Sequence, residues 1–385
     1  MIRRALAPLA ALAVLAAPAG AHAATNPYIV VLEQRVEHPA AVAEAQERRY
    51  ETSGRTHVFD AALTGYAADV PEDEVQALRQ DDRVAYVERD RKMSLAVTQT
   101  SPRWGLDRID ERKRPLDDAF QYSRTGAGVT AYVLDTGVRA SHHEFGGRAT
   151  TGPDFVGDGE AAAASGGGDC NGHGTHVAAT LAGERYGVAK SATVVGVRVL
   201  DCLGNGRNSE VIDGIDWVTS DHSGNAPAVA NLSLGGLQSR AVDDAVKGSI
   251  GDGVSYAIAA GNGGGVGLGG DACDNSPARV GKAMTTAAVN RDDRKPSWSN
   301  YGRCVDWFAP GVDVKSAWSD SDSATKRVDG TSMAAPHSAG VAAQYLEGHP
   351  SASPAKVLDA VYARTTRGVV RSAQTPHDHL LFTGF

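Results

Sequence analysis

The chain has 385 residues, and its 38 Lys and Arg residues against 46 Asp and Glu give a formal net charge of −8. This acidic balance excludes a protein that binds mainly through nucleic-acid phosphates, because such a protein needs a basic face. Hydrophobic residues (42%) and charged residues (22%) are close to the globular averages, which excludes disorder throughout the chain.

The first 24 residues have the pattern of a secretory signal peptide. Arg3 and Arg4 provide a positive start, residues 5–17 are almost all apolar, and residues 21–23 place small residues around a cleavage position. A transmembrane anchor is the alternative, but this run is too short to cross about 30 Å of hydrocarbon. The pattern therefore predicts a secreted, extracellular protein with no membrane partner, in a compartment that permits disulfides.

Residues 25–96 predict a small α+β unit in front of the main domain. We expect strands at 28–32 and 84–87, a strand pair within 57–70, and helices at 40–51 and 72–79. Residues 93–103 lose this periodicity and gather Ser, Thr, Gln and Pro, as linkers do. We therefore predict a domain boundary near Val97.

Residues 97–385 alternate short apolar strands with helical stretches. The expected strands are 129–134, 193–200, 228–234, 254–260 and 284–289, and the expected helices are 174–182, 209–219, 241–250, 332–346 and 354–364. This alternation predicts an α/β fold with a mostly parallel sheet and helices on both faces. In such folds the chemistry lies beyond the carboxyl ends of the strands.

Three residue types needed for nucleophilic catalysis lie at predicted strand ends or helix starts. Asp135 follows the first strand, His173 opens a helix within residues 172–176, and Ser332 opens another within residues 330–336. Each has an ordinary structural alternative, namely a turn aspartate, a core histidine and a helix N-cap. Taken together, they supply a nucleophile, a base and a carboxylate that orients the base, in the chain order Asp, His, Ser.

Five sequence blocks resemble the subtilisin-like serine proteases, and most closely the branch containing proteinase K and aqualysin. The resemblance runs from about Trp104 to Leu381. The blocks are VLDTG at 133–137, NGHGTHVA at 171–178, SLGG at 233–236, AAGN at 259–262 and GTSMAAPH at 330–337. The resemblance implies a subtilisin-like serine endopeptidase in which Asp135 orients the base, His173 is the general base and acid, and Ser332 is the nucleophile.

The same resemblance implies the residues that stabilise negative charge and hold the substrate. Asn262 and the backbone N–H of Ser332 would form the oxyanion hole, although an asparagine between glycines is also typical of a turn. Two segments are similar to those that pair with extended peptides, and they are Gly204-Asn205-Gly206 and Ser233-Leu234-Gly235.

A specificity pocket is implied by the small residues of these blocks. Its walls would be the Ser233-Leu234-Gly235 segment and the segment from Ala259 to Gly261. Small walls leave room for a large apolar or aromatic residue before the scissile bond. The chain departs from its relatives at residues 263–270, which look longer and richer in glycine.

The cysteines are Cys170, Cys202, Cys273 and Cys304. Three pairings of four cysteines are possible, and the resemblance to aqualysin-like proteases implies Cys170 with Cys202 and Cys273 with Cys304. A zinc site at Cys170, His173 and His176 is the alternative, but these ligands lack a fourth partner nearby. The resemblance makes His176 a structural neighbour of the base.

Structural calcium is also implied by the resemblance, while catalysis needs no cofactor. Four acids resemble a calcium-binding segment of this branch, and they are Asp107, Asp110, Glu111 and Asp117. A second site is implied at Asp306 with the carbonyls of Gly281 and Ala283. The alternative for the first cluster is ordinary solvated surface acids.

The segment 25–96 looks like the propeptide of these proteases, which assists folding and serves as a temporary inhibitor, although independent binding modules of similar shape exist. We therefore expect a monomeric, self-processed zymogen whose partners are protein and peptide substrates and its own propeptide. Two rival functions are a catalytically silent peptide-binding relative and a zinc hydrolase.

Overall fold

The computed structural model describes residues 25–90, 92–94, 104–158, 168–222, 224, 226–263 and 267–385, with the backbone alone at 55, 56 and 92–94. The predicted signal peptide and the predicted boundary at Val97 lie outside the described residues, as do residues 264–266 of the glycine-rich segment. Among the described residues, no helix combines the length and apolar character needed to cross a membrane.

The N-terminal unit is a four-stranded antiparallel sheet with two helices, in the strand order β2-β3-β1-β4. Its elements are β1 (Thr25–Leu32), α1 (Pro39–Tyr50), β2 (Ser53–Phe59), β3 (Gly65–Pro71), α2 (Val75–Arg79), β4 (Val84–Arg89) and β5 (Lys92–Ser94). The predicted α+β unit is confirmed. The predicted linker is corrected at its start, because residues 92–94 form a strand that pairs outside this sheet.

Both faces of this small sheet are buried, which follows from the alternation of side chains along a strand. Tyr28, Val30 and Leu32 of β1 pack in the core of the N-terminal unit itself. Ile29 and Val31 point to the opposite face and belong to the core of the main domain. An apolar run without polar interruptions thus reflects a strand held between two cores.

The main domain contains twelve further strands and five longer helices within its described ranges. They are α3 (Trp104–Ile109), β6 (Thr130–Asp135), β7 (Ala149–Asp154), α4 (His173–Ala182), β8 (Thr193–Arg198), β9 (Asn205–Arg207), α5 (Asn208–Asp221), β10 (Ala228–Leu232), β11 (Gly236–Leu237), α6 (Arg240–Asp252), β12 (Ser255–Ala259), β13 (Asn275–Ser276), β14 (Met284–Val289), β15 (Trp307–Pro310), β16 (Val314–Ala317), β17 (Thr325–Val328), α7 (Thr331–Gly348) and α8 (Pro354–Arg364). The short helix α3 stands in addition to those five.

Seven parallel strands form the central sheet in the order β15-β14-β12-β10-β6-β8-β7. The five predicted strands are its interior members, and the prediction missed the two edge strands. Most of β7 is exposed or half-exposed, and β15 has four residues and ends in proline, so neither carries a long apolar run. Neighbouring strands β6 and β10 mark the place where the chain changes direction across the sheet, which is where α/β folds bind ligands.

Helices cover both faces of the sheet, as predicted. Ala131 and Val133 of β6 pack in the same core as α4 and α7. Tyr132 and Leu134, which alternate with them, pack in the same core as α5 and α6. The predicted helices at 174–182, 209–219, 241–250, 332–346 and 354–364 correspond to α4 to α8, within two residues at each end.

Candidate active site

Asp135 and His173 meet at the carboxyl edge of the sheet. Asp135 is the last residue of β6, and His173 is the first residue of α4. The Nδ1 atom of His173 lies 2.7 Å from Oδ1 of Asp135, and both side chains are fully buried. Glycine at position 174 lets the start of α4 pack against the turn after β6, because a Cβ there would lie 2.0 Å from the carbonyl oxygen of Gly137. The arrangement fixes one imidazole nitrogen against a carboxylate.

The other imidazole nitrogen, Nε2 of His173, is buried and has no hydrogen-bond partner among the described residues. Oδ2 of Asp135 is also buried without a hydrogen-bond partner among the described residues. Oδ1 of Asp135 accepts the N–H of Thr136 at 2.8 Å in addition to its contact with His173. A buried nitrogen without a partner is costly unless another group engages it. This site therefore leaves the Nε2 atom available for a proton transfer.

Ser332 lies in the first turn of α7, whose N-cap is Gly330, so the alternative of Ser332 as an N-cap is wrong. Pro336 lies four residues later and has no N–H, so the carbonyl of Ser332 has no helical partner. The hydroxyl of Ser233 donates to that carbonyl at 2.7 Å instead. In return, the hydroxyl of Ser332 donates to the carbonyl of Ser233 at 3.0 Å.

Asn262 follows β12 and is held by Thr331, the residue before Ser332. The N–H and the hydroxyl of Thr331 donate to Oδ1 of Asn262 at 2.9 and 2.8 Å, and the N–H of Gly261 donates to the same hydroxyl at 3.0 Å. With Oδ1 turned toward Thr331, Nδ2 is on the other side of the amide. The prediction missed Thr331, although it lies within the GTSMAAPH block.

A cavity of about 350 Å³ lies beside Ser332. It is lined by Ser233, Leu234, Gly235, Ala259, Ala260, Gly261, Asn262, Gly263, Leu268, Gly270, Asn275, Ala278, Asn300, Thr331 and Ser332. The structure thus brings the predicted pocket walls together with Asn262 and Ser332. Leu268, Asn275, Ala278 and Asn300 were not predicted as pocket walls, because they lie outside the five blocks.

The predicted peptide-pairing segment Gly204-Asn205-Gly206 overlaps β9, which is already paired with part of this chain. Lys92, Met93 and Ser94 of β5 run antiparallel to Arg207, Gly206 and Asn205. Strand β11, which follows the Ser233-Leu234-Gly235 segment, lies close to β5 as well. An extended segment of the N-terminal unit therefore occupies the groove predicted for peptides.

Asp169 is a buried carboxylate that the sequence interpretation missed. Its Oδ1 accepts the hydroxyl of Thr136 at 2.9 Å and the N–H of Gly172 at 2.8 Å, and its Oδ2 accepts the N–H and hydroxyl of Thr175 at 2.9 and 2.5 Å. Burial raises the pKa of Asp169, and these hydrogen bonds oppose the increase. Asp169 therefore joins the residue after Asp135 to the residues on both sides of His173.

We expect Asp169→Ala to lower kcat by about 100-fold, because loss of these bonds lets Asp135 and His173 move apart by a fraction of an ångström or more. The measurement is kcat per active site, counted with a covalent titrant. Asp169→Asn retains the shape and one accepting oxygen, so its loss should be smaller. An unchanged kcat per titrated site in Asp169→Ala would show that the residue serves only folding.

The zinc alternative is wrong, because its three side chains have other partners. Cys170 forms a disulfide with Cys202, and His173 is bonded to Asp135. Nε2 of His176 lies 3.0 Å from the carbonyl oxygen of Val314, and burial lowers the pKa of His176 to about 3. The second disulfide joins Cys273 and Cys304, so both predicted pairings are present in the structure.

The first predicted calcium cluster contains buried carboxylate oxygens without partners. Oδ1 of Asp107 and Oδ1 of Asp110 are buried and unbonded in the described part of the chain. Burial raises the pKa of Asp107, with further contributions from Asp118 and Asp117, and burial raises the pKa of Asp110 to about 6. These oxygens suit a hard cation. Asp118, which the prediction omitted, raises the pKa of Asp107 more than Asp117 does.

Asp306, the acid of the second predicted site, is half-buried and directly precedes β15. One of its oxygens accepts the N–H of Thr285 at 2.7 Å, and burial raises the pKa of Asp306 to about 7. As they stand, the described residues contain no group of three or more His, Cys, Asp or Glu side chains arranged to hold a metal. At either predicted site, backbone carbonyls or water would have to complete the coordination.

Two comparisons with protein families cover most of the chain. Residues 126–380 match the Subtilase family, and residues 27–96 match Peptidase inhibitor I9. The first match alone covers more than half of the chain. The Peptidase inhibitor I9 match ends at residue 96, and the Subtilase match begins at residue 126.

Individual proteins are similar over most of the chain. An extracellular serine proteinase of Thermus sp. (strain Rt41A) is 50% identical over 85% of this chain and 77% of its own length. Alkaline serine exoprotease A of Vibrio alginolyticus is 48% identical over 85% of this chain and 60% of its own length. The crystal structure of a cold adapted subtilisin-like serine proteinase is 48% identical, with a TM-score of 0.68, and the match covers 74% of this chain and 100% of that chain.

Proposed function

Because this chain belongs to the subtilase family, we propose that it hydrolyses peptide bonds through an acyl-enzyme formed on Ser332, with His173 as base and Asp135 as its orienting carboxylate. The protein is a subtilisin-like serine endopeptidase with an inhibitor-type propeptide, secreted as a zymogen. The observation that carries the proposal is the 2.7 Å contact between His173 and Asp135, which leaves Nε2 of the imidazole without a partner at the edge where Ser332 lies.

Catalysis begins with a rotation of the Ser332 hydroxyl, which donates to the carbonyl of Ser233 in this structure. The hydroxyl turns to Nε2 of His173, which takes its proton while Oγ attacks the substrate carbonyl. Asp135 stabilises the imidazolium that results. His173 then gives the proton to the leaving amine, and a water molecule repeats the steps to release the acid from Ser332.

The negative charge on the substrate oxygen is stabilised by Nδ2 of Asn262 and the backbone N–H of Ser332. Thr331 supports this role, because its two hydrogen bonds to Oδ1 fix the plane of the Asn262 amide. A donor fixed in advance needs no reorganisation as charge develops, which makes it more effective than water.

The substrate binds as an extended strand along Gly204-Asn205-Gly206 on one side and Ser233-Leu234-Gly235 on the other. The pairing of β5 with β9 supports this mode, because it is the antiparallel pairing that a peptide would make. The residue before the scissile bond enters the cavity beside Ser332. Ala259 and Gly261 leave room there for an apolar or aromatic side chain.

The propeptide acts as a temporary inhibitor that the enzyme cuts near Val97. Carboxylates near the end of the propeptide lie at the N-termini of two helices of the protease. Asp90 accepts the N–H of Ser209 in α5 at 3.0 Å, and Glu88 accepts the hydroxyl of Ser239, the N-cap of α6. Anions are favourable at these positive helix ends. The contacts hold β5 in the groove until cleavage releases it.

A fluorophosphonate probe tests the catalytic proposal directly, because it bonds to an activated serine oxygen with loss of fluoride. We expect the mature protein to be labelled on Ser332 and to lose peptidase activity in proportion. His173→Ala should be folded and unlabelled. An intact protein that neither reacts with the probe nor cleaves peptides would identify the chain as the silent peptide-binding relative.

Calcium stabilises the mature protein through the carboxylates of Asp107, Asp110 and Asp117, with Glu111 and the newly identified Asp118 beside them. The second site combines Asp306 with the carbonyls of Gly281 and Ala283. A bound cation would provide a partner of opposite charge for the buried carboxylate oxygens of Asp107 and Asp110, which have no hydrogen-bond partner among the described residues. The reaction itself needs no Lewis acid in this proposal, because His173 transfers the proton and Asn262 stabilises the negative charge on the substrate oxygen.

We expect calcium to lengthen the lifetime of the parent protein at elevated temperature without changing its initial rate. A hundredfold excess over Kd stabilises the native state by about 2.7 kcal/mol. Asp107→Asn/Asp110→Asn should gain less lifetime from calcium. The matched control Asp320→Asn/Asp359→Asn removes two exposed charges elsewhere and should respond like the parent. Equal calcium responses in all three proteins would assign the dependence to Asp306 or another place.

A further inference from the structure

Leu268 is an exposed apolar side chain at the cavity beside Ser332. It belongs to the glycine-rich segment in which the chain departs from its relatives, and it lines that cavity together with Gly270. Leu268 is 63% exposed. Leu234, on another wall of the cavity, is buried. A leucine exposed at this place can be covered by whatever enters the cavity.

Hydrogen bonds attach both ends of the glycine-rich segment to residues 297–300. The N–H of Gly263 donates to the carbonyl of Trp298 at 2.7 Å, and the N–H of Gly269 donates to the carbonyl of Ser297 at 2.7 Å. A Cβ on Gly269 would lie 2.1 Å from the carbonyl oxygen of Ser299, so this approach requires glycine. The backbone is therefore fixed to the rest of the protein at Gly263 and at Gly269, the residue directly after Leu268.

Asn300 connects the glycine-rich segment to the cavity wall. Its Oδ1 accepts the N–H of Gly270 at 2.8 Å, and its Nδ2 donates to the carbonyl of Ala260 at 2.9 Å. Its own N–H donates to the carbonyl of Gly261 at 2.9 Å. Asn300 thus joins the backbone near Leu268 to residues 260 and 261, which form another wall of the cavity.

We infer that Leu268 is a specificity-determining residue that contacts the side chain of the substrate residue before the scissile bond. This inference rests on the proposed protease function and extends it to a segment outside the five sequence blocks. Among the other lining residues, Ala259, Gly261 and Ala278 offer only backbone and methyl groups, and Leu234 is the one other large apolar residue. A large apolar substrate side chain covers Leu268 and gains free energy in proportion to the apolar area removed from water, whereas an alanine is too short to reach it.

The test compares parent, Leu268→Ala and Leu203→Ala on peptide amides that differ only in the residue before the scissile bond, which is Phe, Leu or Ala. Leu203 is a suitable control because its side chain is 83% exposed and does not line this cavity. We expect Leu268→Ala to lose about 10-fold in kcat/KM on the Phe and Leu peptides, which equals about 1.4 kcal/mol. On the Ala peptide its kcat/KM should stay within about twofold of the parent, by the same reasoning.

Concentrations are set by active-site titration, so that misfolded protein does not enter the comparison. A Phe-to-Ala ratio in Leu268→Ala equal to that of the parent overturns the inference. An equal loss on all three peptides also overturns it, because it would show that Leu268 acts on the general geometry around Asn262. Both results leave the proposed protease function intact, whereas that function fails only if the parent cleaves none of the peptides.

Discussion

Ser332→Ala is expected to accumulate as a precursor whose propeptide is not cut, because the serine that would cleave near Val97 is absent. Its peptidase activity should fall by about 10⁶-fold in kcat, the loss known for the corresponding serine of subtilisin, a member of this family. The precursor should still fold, because Ser332 contributes a single hydroxyl bond to Ser233. The measurement is N-terminal sequencing of protein purified from a protease-deficient host.

Trans-cleavage provides the control for this experiment. Mature parent protein added to the Ser332→Ala precursor should cut it near Val97 and release a propeptide fragment, which shows that the site is accessible and that only the nucleophile was missing. A cut near Val97 in the variant alone, before any parent protein is added, would exclude self-processing. The propeptide would then be removed by a different protease.

Asn262→Ala is expected to lower kcat by about 10² to 10³ while leaving KM nearly unchanged. The reason is that the Asn262 amide acts on the charge that develops in the transition state and has little effect on the bound substrate. The magnitude is the one known for the corresponding asparagine of subtilisin. The measurement should use a peptide amide for which acylation limits the rate, so that a change in the chemical step is visible in kcat.

Asn262→Asp separates this role from a merely structural one. The aspartate keeps an oxygen that accepts the N–H and hydroxyl of Thr331, but it replaces the Nδ2 donor with a second oxygen. If Asn262 is an oxyanion donor, the Asp variant should be at least as impaired as the Ala variant. Near-parental kcat in Asn262→Asp would show that the residue serves only to position Thr331.

Much of the fold and the core of the candidate site could be predicted from local sequence. Strands β6, β8, β10, β12 and β14 lie in the interior of the sheet, where both faces are covered, so each is rich in apolar residues. Asp135 ends such a run, His173 lies between two glycines, and Ser332 follows Gly330 by two residues at the start of a helix. Buried strands and sharp turns can be recognised from residues that are neighbours in the sequence, so these features are predictable before the fold is known.

Tertiary structure alone decided which distant groups touch. Asp169 bonds to Thr136, 33 residues earlier, and Ser332 exchanges hydrogen bonds with Ser233, 99 residues earlier. Backbone hydrogen bonds of the neighbouring glycines place Leu268 at the cavity wall, and the sequence of the glycine-rich segment does not predict those bonds. The edge strands β7 and β15 were missed for a related reason, since a short or partly exposed strand lacks the apolar repeat. Sequence periodicity indicates which residues are buried and which are exposed to solvent, whereas hydrogen-bond partners depend on distances that only the folded chain establishes.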